Sequence, residues 1–462
     1  MKTLPPSFKS EIEQLLGAVE SVQLCNAIAE TVPPVSIRIN PNKPQEKLPF
    51  DVDEPVKWCS QWGRYLPERP RFTYDPLLHA GCYYVQEASS MFIARAYQQI
   101  AADIVPQRML DLCAAPGGKS TLWRTLLPND SLLVANEPIR QRAQVLAENL
   151  TKWGHPNVVV TSAYPDEFAS LGSFFDVVAT DVPCSGEGMF RKDDGAVEEW
   201  SLDNVLKCAD RQWEIINSVW PSLREGGYLV YSTCTFNRQE NEDNVQRICQ
   251  ELGAELVPID IENDWGIVGD TTMRSMPVYH FFPHKAKGEG LFLALLRKTS
   301  SAPIIKSKKT KKRQSVTKQA GAIKEASKIS TWLNQPNLFK LLPYGEGRIT
   351  AVAKSWADDV QRIMQTMKTL VAGVAIAEEK GHKIVPQHAL ALSVVRNEQA
   401  FPHAELSLDE ALAYLRREAI VLPSDIKRGY VVATYMGHAL GFLNNLGPRA
   451  NNLYPQEWRI RN

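Results

Sequence analysis

The chain lacks net charge: 52 lysines and arginines balance 52 aspartates and glutamates. That argues against a coat protein held on nucleic acid by total charge, although local patches bind whatever the sum. No stretch approaches the roughly 18–20 consecutive apolar residues of a membrane span. No apolar run follows Met1-Lys2-Thr3-Leu4-Pro5-Pro6 either, so neither a membrane association nor a secretory leader is expected, and the protein is expected in the cytoplasm. Eight cysteines are present but no Cys-x-x-Cys pair, which disfavours a zinc site or a redox dithiol; no metal is expected, and the thiols should be reduced. There is no internal repeat.

What is present is a chain of 462 residues with 44% hydrophobic and 23% charged content, too long for one compact core and ordinary for a soluble protein of two or three domains. Residues 1–100 are mixed. Ser36-Ile37-Arg38-Ile39-Asn40 alternates like a strand, prolines punctuate the stretch from Pro41 to Pro76, and helical spacing returns over residues 86–99. From about Arg108, short apolar runs at 109–112, 132–135, 158–161, 175–180 and 228–231 are separated by helix-length amphipathic stretches such as 139–152 and 202–223. This alternation predicts an α/β fold with a parallel, doubly wound sheet. Two further runs, 278–282 and 291–296, are spaced for an antiparallel hairpin. Residues 299–330 carry Lys306, Lys308, Lys309, Lys311, Lys312 and Arg313 among serines and threonines, and read as a flexible basic linker. Residues 331–462 resume a globular composition, with strand-like runs at 429–436 and 439–444.

Leu110-Asp111-Leu112-Cys113-Ala114-Ala115-Pro116-Gly117-Gly118-Lys119-Ser120 follows the first strand of this series and opens a helix. Its small residues let the backbone approach a ligand at the carboxyl edge of the sheet, where open α/β folds bind ligands. Gly118-Lys119-Ser120 resembles the end of a phosphate-binding loop. That motif needs a glycine where Cys113 stands, which disfavours a nucleoside triphosphate. The second strand ends at Asn136-Glu137, an acid placed to accept hydrogen bonds from ribose hydroxyls.

Asp181-Val182-Pro183-Cys184-Ser185-Gly186-Glu187-Gly188 follows the fourth strand and Ser232-Thr233-Cys234-Thr235 the fifth. Both cysteines therefore fall on loops at the edge that carries the glycine loop. Alone, either would be read as a small core residue. As a pair beside a cofactor loop they point to methylation of cytosine. Carbon 5 of that base is a poor nucleophile until a thiolate adds at carbon 6, and afterwards the carbon-5 proton must leave to a base. Cysteine suits the first step because part of it is thiolate near neutral pH. Asp181 could hydrogen-bond the base edge and favour protonation of its ring nitrogen.

Asp111–Ser120, Asp181–Asp193 and Tyr231–Asn244, with Ser36–Asn40 and His79–Met91 upstream, resemble the Nol/Nop/Sun family of RNA 5-methylcytosine methyltransferases, and within it the bacterial small-subunit ribosomal RNA methyltransferase F group. Gly441–Arg461 is similar to the PUA-like tail of that group. The resemblance implies a Rossmann-like S-adenosylmethionine-dependent sheet over 101–298, an N-terminal α+β RNA-binding segment over 1–100 and a C-terminal PUA-like RNA-binding domain over 331–462. It implies Cys234 as the nucleophile and Cys184 as the residue that assists release. Cys113, Ala114, Ala115, Pro116, Gly117, Gly118, Lys119 and Glu137 would hold the cofactor, with Lys119 and Asp181 near both cofactor and base. A DNA cytosine methyltransferase would instead use the Pro-Cys cysteine alone. Arg191 and Lys192 read equally as phosphate contacts or as solvated surface charge. The family's acid near the adenine aligns with Tyr164, and Asp166 stands two residues late. The partner implied is RNA, namely 16S rRNA or the assembling 30S subunit, met by a monomer. The competing expectations are the same chemistry on tRNA, and an RNA-binding ribosome-assembly factor without catalysis.

Overall fold

In the computed structural model, which describes residues 2–300, 323, 325–345 and 347–461, the alternating runs form one large mixed sheet. Its strands are β1 (Arg108–Asp111), β2 (Leu132–Asn136), β3 (Val158–Thr161), β4 (Phe175–Asp181), β5 (Leu223–Thr233), β6 (Val278–Phe281), β7 (Leu291–Lys298) and β8 (Thr369–Ala372). They lie in the order β6-β7-β5-β4-β1-β2-β3-β8, with the short strand Ala254–Leu256 also paired to β7. The strands β1 to β5 run parallel to one another, and the expected hairpin supplies β6 and β7, antiparallel to each other, with β7 antiparallel to β5. The basic residues Lys306 to Arg313 of the expected linker lie outside the described residues.

The central strands read as unbroken apolar runs because both faces of the sheet are covered. Every residue of β2 and β3 is buried. Alternate side chains separate onto the two faces. Met109, Leu133, Val160 and Val177 pack with Ile100, Leu122, Leu146 and Leu150 from the helices Ile93–Asp103, Gly118–Leu126 and Arg140–Trp153. Leu110, Val134, Val159 and Val178 pack on the other side with Ile216 and Val219, and with Val245 and Ile248. The helix expected over 202–223 runs from Leu202 to Val219, started by Ser201, whose hydroxyl accepts from the Asn204 N–H. Pro221 falls just beyond it and cannot continue the backbone ladder, so the chain makes one tight turn and enters β5 at Leu223.

The ends of the chain are not appendages. Strands Gly63–Leu66, Val35–Ile39 and Tyr83–Val85 form a small antiparallel sheet. Its Ile37 and Tyr83 share a core with Tyr454 and with Val431 and Leu443 of the last sheet, which is built from His403–Glu405, Gly429–Tyr435, His438–Asn445 and Ala450–Asn452. A further four-stranded sheet precedes it, spanning Phe339–Tyr344, Arg348–Ala353, Val374–Lys380 and Lys383–Pro386. Between two of its strands the chain reaches back to the central sheet. β8 pairs antiparallel with β3, and the helix Ala357–Thr366 inserts Val360 and Ile363 into the core, with Arg108 and Asp359 in an ion pair of 2.9 Å. No helix of the described residues is long and apolar enough to cross a membrane.

His79 lies in the contact between the two ends of the chain. It is 6% exposed, with Nε2 2.9 Å from the Thr73 carbonyl and Nδ1 3.4 Å from the Tyr454 hydroxyl. Burial, and then the charge of Lys152, push its pKa down to about 3. The unfolded chain takes up this proton near pH 6.5 and the native chain does not. The resulting stability is complete above about pH 6.5 and is lost as pH falls toward about 3. Between pH 7 and 5 the wild type should lose on the order of 2 kcal/mol more than His79→Gln. Parallel urea-unfolding curves for the two proteins at both pH values would refute this account.

Candidate active site

β1, β2, β4 and β5 end at one edge of the sheet, and the loops that follow them bring together every residue expected in the site. After β1, the loop is pinned to its neighbours: the Leu112 N–H donates to the Ala179 carbonyl at 2.9 Å and the Ala114 N–H to the Asn136 carbonyl at 2.9 Å. Asn136, fully buried, ties three loops by donating to the carbonyls of Leu112 and Ala163 and accepting from the Ala163 N–H and the Thr161 hydroxyl. Gly117 turns the chain into the helix with φ of 115°, a left-handed conformation that favours glycine, and a β-carbon there would stand 3.3 Å from Leu146. Asp111 accepts from the Ser120 hydroxyl at 2.7 Å and so staples the loop from beneath; burial pushes its carboxyl up to about 7.

The donor set fits S-adenosylmethionine. The first turn of the helix Gly118–Leu126 has N–H groups without intrahelical acceptors, suited to the carboxylate of an amino-acid group. Glu137 accepts from the Ile139 N–H at 3.0 Å and lies 3.6 Å from Arg142, which leaves acceptor capacity for ribose hydroxyls. Burial, and then the charges of Glu137 and Asp111, push the Cys113 thiol well up, so it stays neutral. Tyr164 and Asp166 are both exposed, and the neighbouring Glu167 carboxylate is engaged in capping the Tyr164 N–H at 2.8 Å.

Lys119 extends from the first helical turn to Asp181 at the end of β4, with Nζ 2.8 Å from Oδ2. The Ser232 hydroxyl donates to the other oxygen of Asp181 at 3.0 Å. Burial works against the charge of Lys119, but Asp181 outweighs it and raises the lysine pKa. The ammonium therefore stays protonated, and the pair links the cofactor loop to the cysteine loops.

Cys184 and Cys234 face each other with 3.1 Å between sulfurs, and both are free thiols. The loops that carry them are joined by two backbone bonds, from the Val182 N–H to the Ser232 carbonyl at 3.0 Å and from the Gly188 N–H to the Cys234 carbonyl at 2.8 Å. The contact with Cys234, and then burial, raise the Cys184 thiol well above its ordinary range. Cys184 thus keeps its proton and can donate it toward the Cys234 sulfur.

Several residues here were not foreseen. Glu187, 1% exposed, accepts from the N–H groups of Phe236 and Asn237 and from the Trp200 indole, fastening one cysteine loop to the other. Glu240 and Gln212, both fully buried, bond to each other at 2.7 Å. Arg38 enters from the N-terminal sheet, donates to Gln86 and Gly118, and stacks at 4.4 Å over Trp153. Glu187 and Glu240 lie within quoted motifs, but a glutamate in sequence gives no sign of being buried. Arg191 and Lys192 are engaged within the protein. Arg191 donates to the carbonyls of Gly288 and Val32, and Lys192 pairs with Glu289.

Family models match three parts of the chain. These are the 16S rRNA methyltransferase RsmB/F over residues 103–297, the N-terminal domain of 16S rRNA methyltransferase RsmF over 4–88, and the methyltransferase RsmF PUA domain over 401–460. The ribosomal RNA small subunit methyltransferase F of Salmonella heidelberg (strain SL476) is 31% identical over 426 residues, covering 87% of this chain and 84% of that protein. The protein of the same name from Shewanella piezotolerans is 30% identical over 411 residues, covering 87% and 85%. Among solved structures, NSun6 from Pyrococcus horikoshii with SFG superposes with a TM-score of 0.54 at 22% identity, over 64% of this chain and 98% of that one, a likeness of fold.

Proposed function

Because this chain belongs to the ribosomal RNA small subunit methyltransferase F family, we propose that it methylates carbon 5 of a cytosine in 16S rRNA, with S-adenosylmethionine as methyl donor. The observation that carries the cytosine-5 chemistry is the pair of free thiols 3.1 Å apart, beside the Lys119–Asp181 ion pair. When bound by the loop from Cys113 to Lys119 and by Glu137, the cofactor supplies an electrophilic methyl group.

The Cys234 sulfur adds to carbon 6 of the base, and the electron pair of the 5,6 double bond makes carbon 5 nucleophilic. Asp181 faces the base edge and favours protonation at its ring nitrogen as negative charge builds there, with Lys119 holding the carboxylate in place. After methylation, the carbon-5 proton passes to a base, the double bond re-forms, and the Cys234 sulfur leaves carbon 6. Cys184 assists this last step. Residues 1–100 and 331–462 flank the catalytic residues 101–298 and engage the RNA. On this reading the enzyme acts as a cytoplasmic monomer on 16S rRNA or on the assembling 30S subunit.

The test is product analysis. 30S subunits and 16S rRNA from cells lacking the gene, incubated with methyl-labelled cofactor, should yield labelled 5-methylcytidine after nuclease digestion and mass spectrometry. Label confined to tRNA, or appearing on another base, would replace this reading.

A further inference from the structure

Among the described residues, the side-chain partner of the Cys184 sulfur is the Cys234 sulfur. A thiol is a weak donor and a weak acceptor, so this contact cannot itself fix the side chain. The position of Cys184 is set by its backbone, and the peptide groups on both sides of it are held by one buried pair. The Gln212 amide donates to the Pro183 carbonyl at 2.9 Å, and the Ser185 N–H donates to Glu240 Oε2 at 3.0 Å.

Gln212 and Glu240 come from different elements, the helix Leu202–Val219 and the turn between β5 and the helix Glu242–Leu252. Gln212 Nε2 donates to Glu240 Oε2 at 2.7 Å, and Asn237 Nδ2 donates to Oε1 at 2.7 Å. The Gln212 carbonyl oxygen accepts from the Tyr231 hydroxyl at 2.9 Å and from Asn244 at 3.0 Å. Both side chains are fully buried, so neither can touch RNA or cofactor. Burying a carboxylate and an amide is costly unless their hydrogen bonds are made, and here each bond terminates on the Cys184 loop or on a residue that supports it.

We infer that Glu240 and Gln212 are positioning residues that clamp the peptide groups before and after Cys184 and so keep its thiol against Cys234. The inference rests on the proposed role of Cys184 in release. The clamp acts on that step: with it loosened, the thiol spends less time beside the sulfur that must leave carbon 6, and the protein–RNA adduct persists.

Two variants and two readouts test this. Glu240→Gln puts an amide N–H₂ among donors, and Gln212→Met removes the amide at similar volume. The first readout needs no RNA. The two site cysteines are equilibrated with reduced and oxidised glutathione, which closes a Cys184–Cys234 disulfide with release of two reduced glutathiones, and the closed fraction is read by mass. The effective concentration of the thiol pair should fall at least about tenfold in each variant. The second readout compares the methyl-transfer burst with steady-state turnover on 30S subunits from cells lacking the gene. Turnover should fall at least about tenfold more than the burst, with adduct visible on denaturing gels.

A thiol equilibrium and a burst-to-turnover ratio matching wild type, in either folded variant, would overturn the clamp. If Glu240→Gln does not fold, Gln212→Met decides. Failure of Cys184→Ala itself to accumulate adduct would count against the release role, and the glutathione equilibrium would still judge the clamp.

Discussion

Cys234→Ala should lose methyl transfer by at least about 10⁴-fold while still binding S-adenosylmethionine, since the covalent route to an activated carbon 5 is gone. The neighbouring thiol does not replace it. In the wild type Cys184 lies 3.1 Å away; in this variant the Cys234 contact is gone but burial still raises the thiol, and its loop stays fastened by Glu187 and Glu240, which keeps its sulfur at its own position rather than at that of Cys234. Cofactor affinity should change little, because the loop from Cys113 to Lys119 and Glu137 follow β1 and β2 while Cys234 follows β5. Labelled-methyl incorporation into 30S subunits, with cofactor binding measured by calorimetry, checks both halves. Activity within about tenfold of wild type would reassign the nucleophile.

Cys184→Ala should show a different failure. One methyl group per enzyme is transferred, turnover then drops by about 100-fold, and an adduct between protein and RNA survives denaturing gels. The first cause of the raised Cys184 pKa is its contact with the Cys234 sulfur. Once that sulfur is bonded to carbon 6 it is a thioether, and this source of the shift disappears. In the proposed route Cys184 then gives its own proton to solvent and, as the thiolate, takes the carbon-5 proton. On that route alanine offers no thiolate, so the ring should not regain its double bond and the adduct should persist. Normal turnover without adduct would remove Cys184 from the mechanism. Adduct in Cys184→Ala but not in the Cys184→Ala, Cys234→Ala double variant would identify the bonded sulfur.

Much of the site was legible because its information is local. A strand's apolar run, a glycine turn and the start of a helix occupy consecutive residues from Leu110 to Ser120, so their order along the chain already places the loop at the carboxyl edge. The cysteine loops follow the same rule: Cys184 comes just after β4 ends at Asp181, and Cys234 just after β5 ends at Thr233. The expected helix over 86–99 was less legible. Ser89–Phe92 is a tight turn, and the helix proper runs from Ile93 to Asp103, because Glu87 caps the N–H groups of Ser89 and Ser90 and starts the turn there.

Periodicity and motif order were sufficient to determine an α/β sheet, the edge at which the candidate site lies, and the pair of cysteines that follow strands ending there. They act through the preferences of neighbouring residues and through the alternation of a buried strand. The tertiary structure alone decided which polar residues serve the site from within. Glu240 and Gln212 are 28 positions apart, and Arg38 reaches Gly118 across 80 positions. The pairing of β8 with β3 joins segments still farther apart. A buried carboxylate or guanidinium is tolerable only with its partners in place, and those partners are supplied by chain closure over long separations, which no local pattern encodes. The two cysteines could be named from the sequence; what holds them 3.1 Å apart could not.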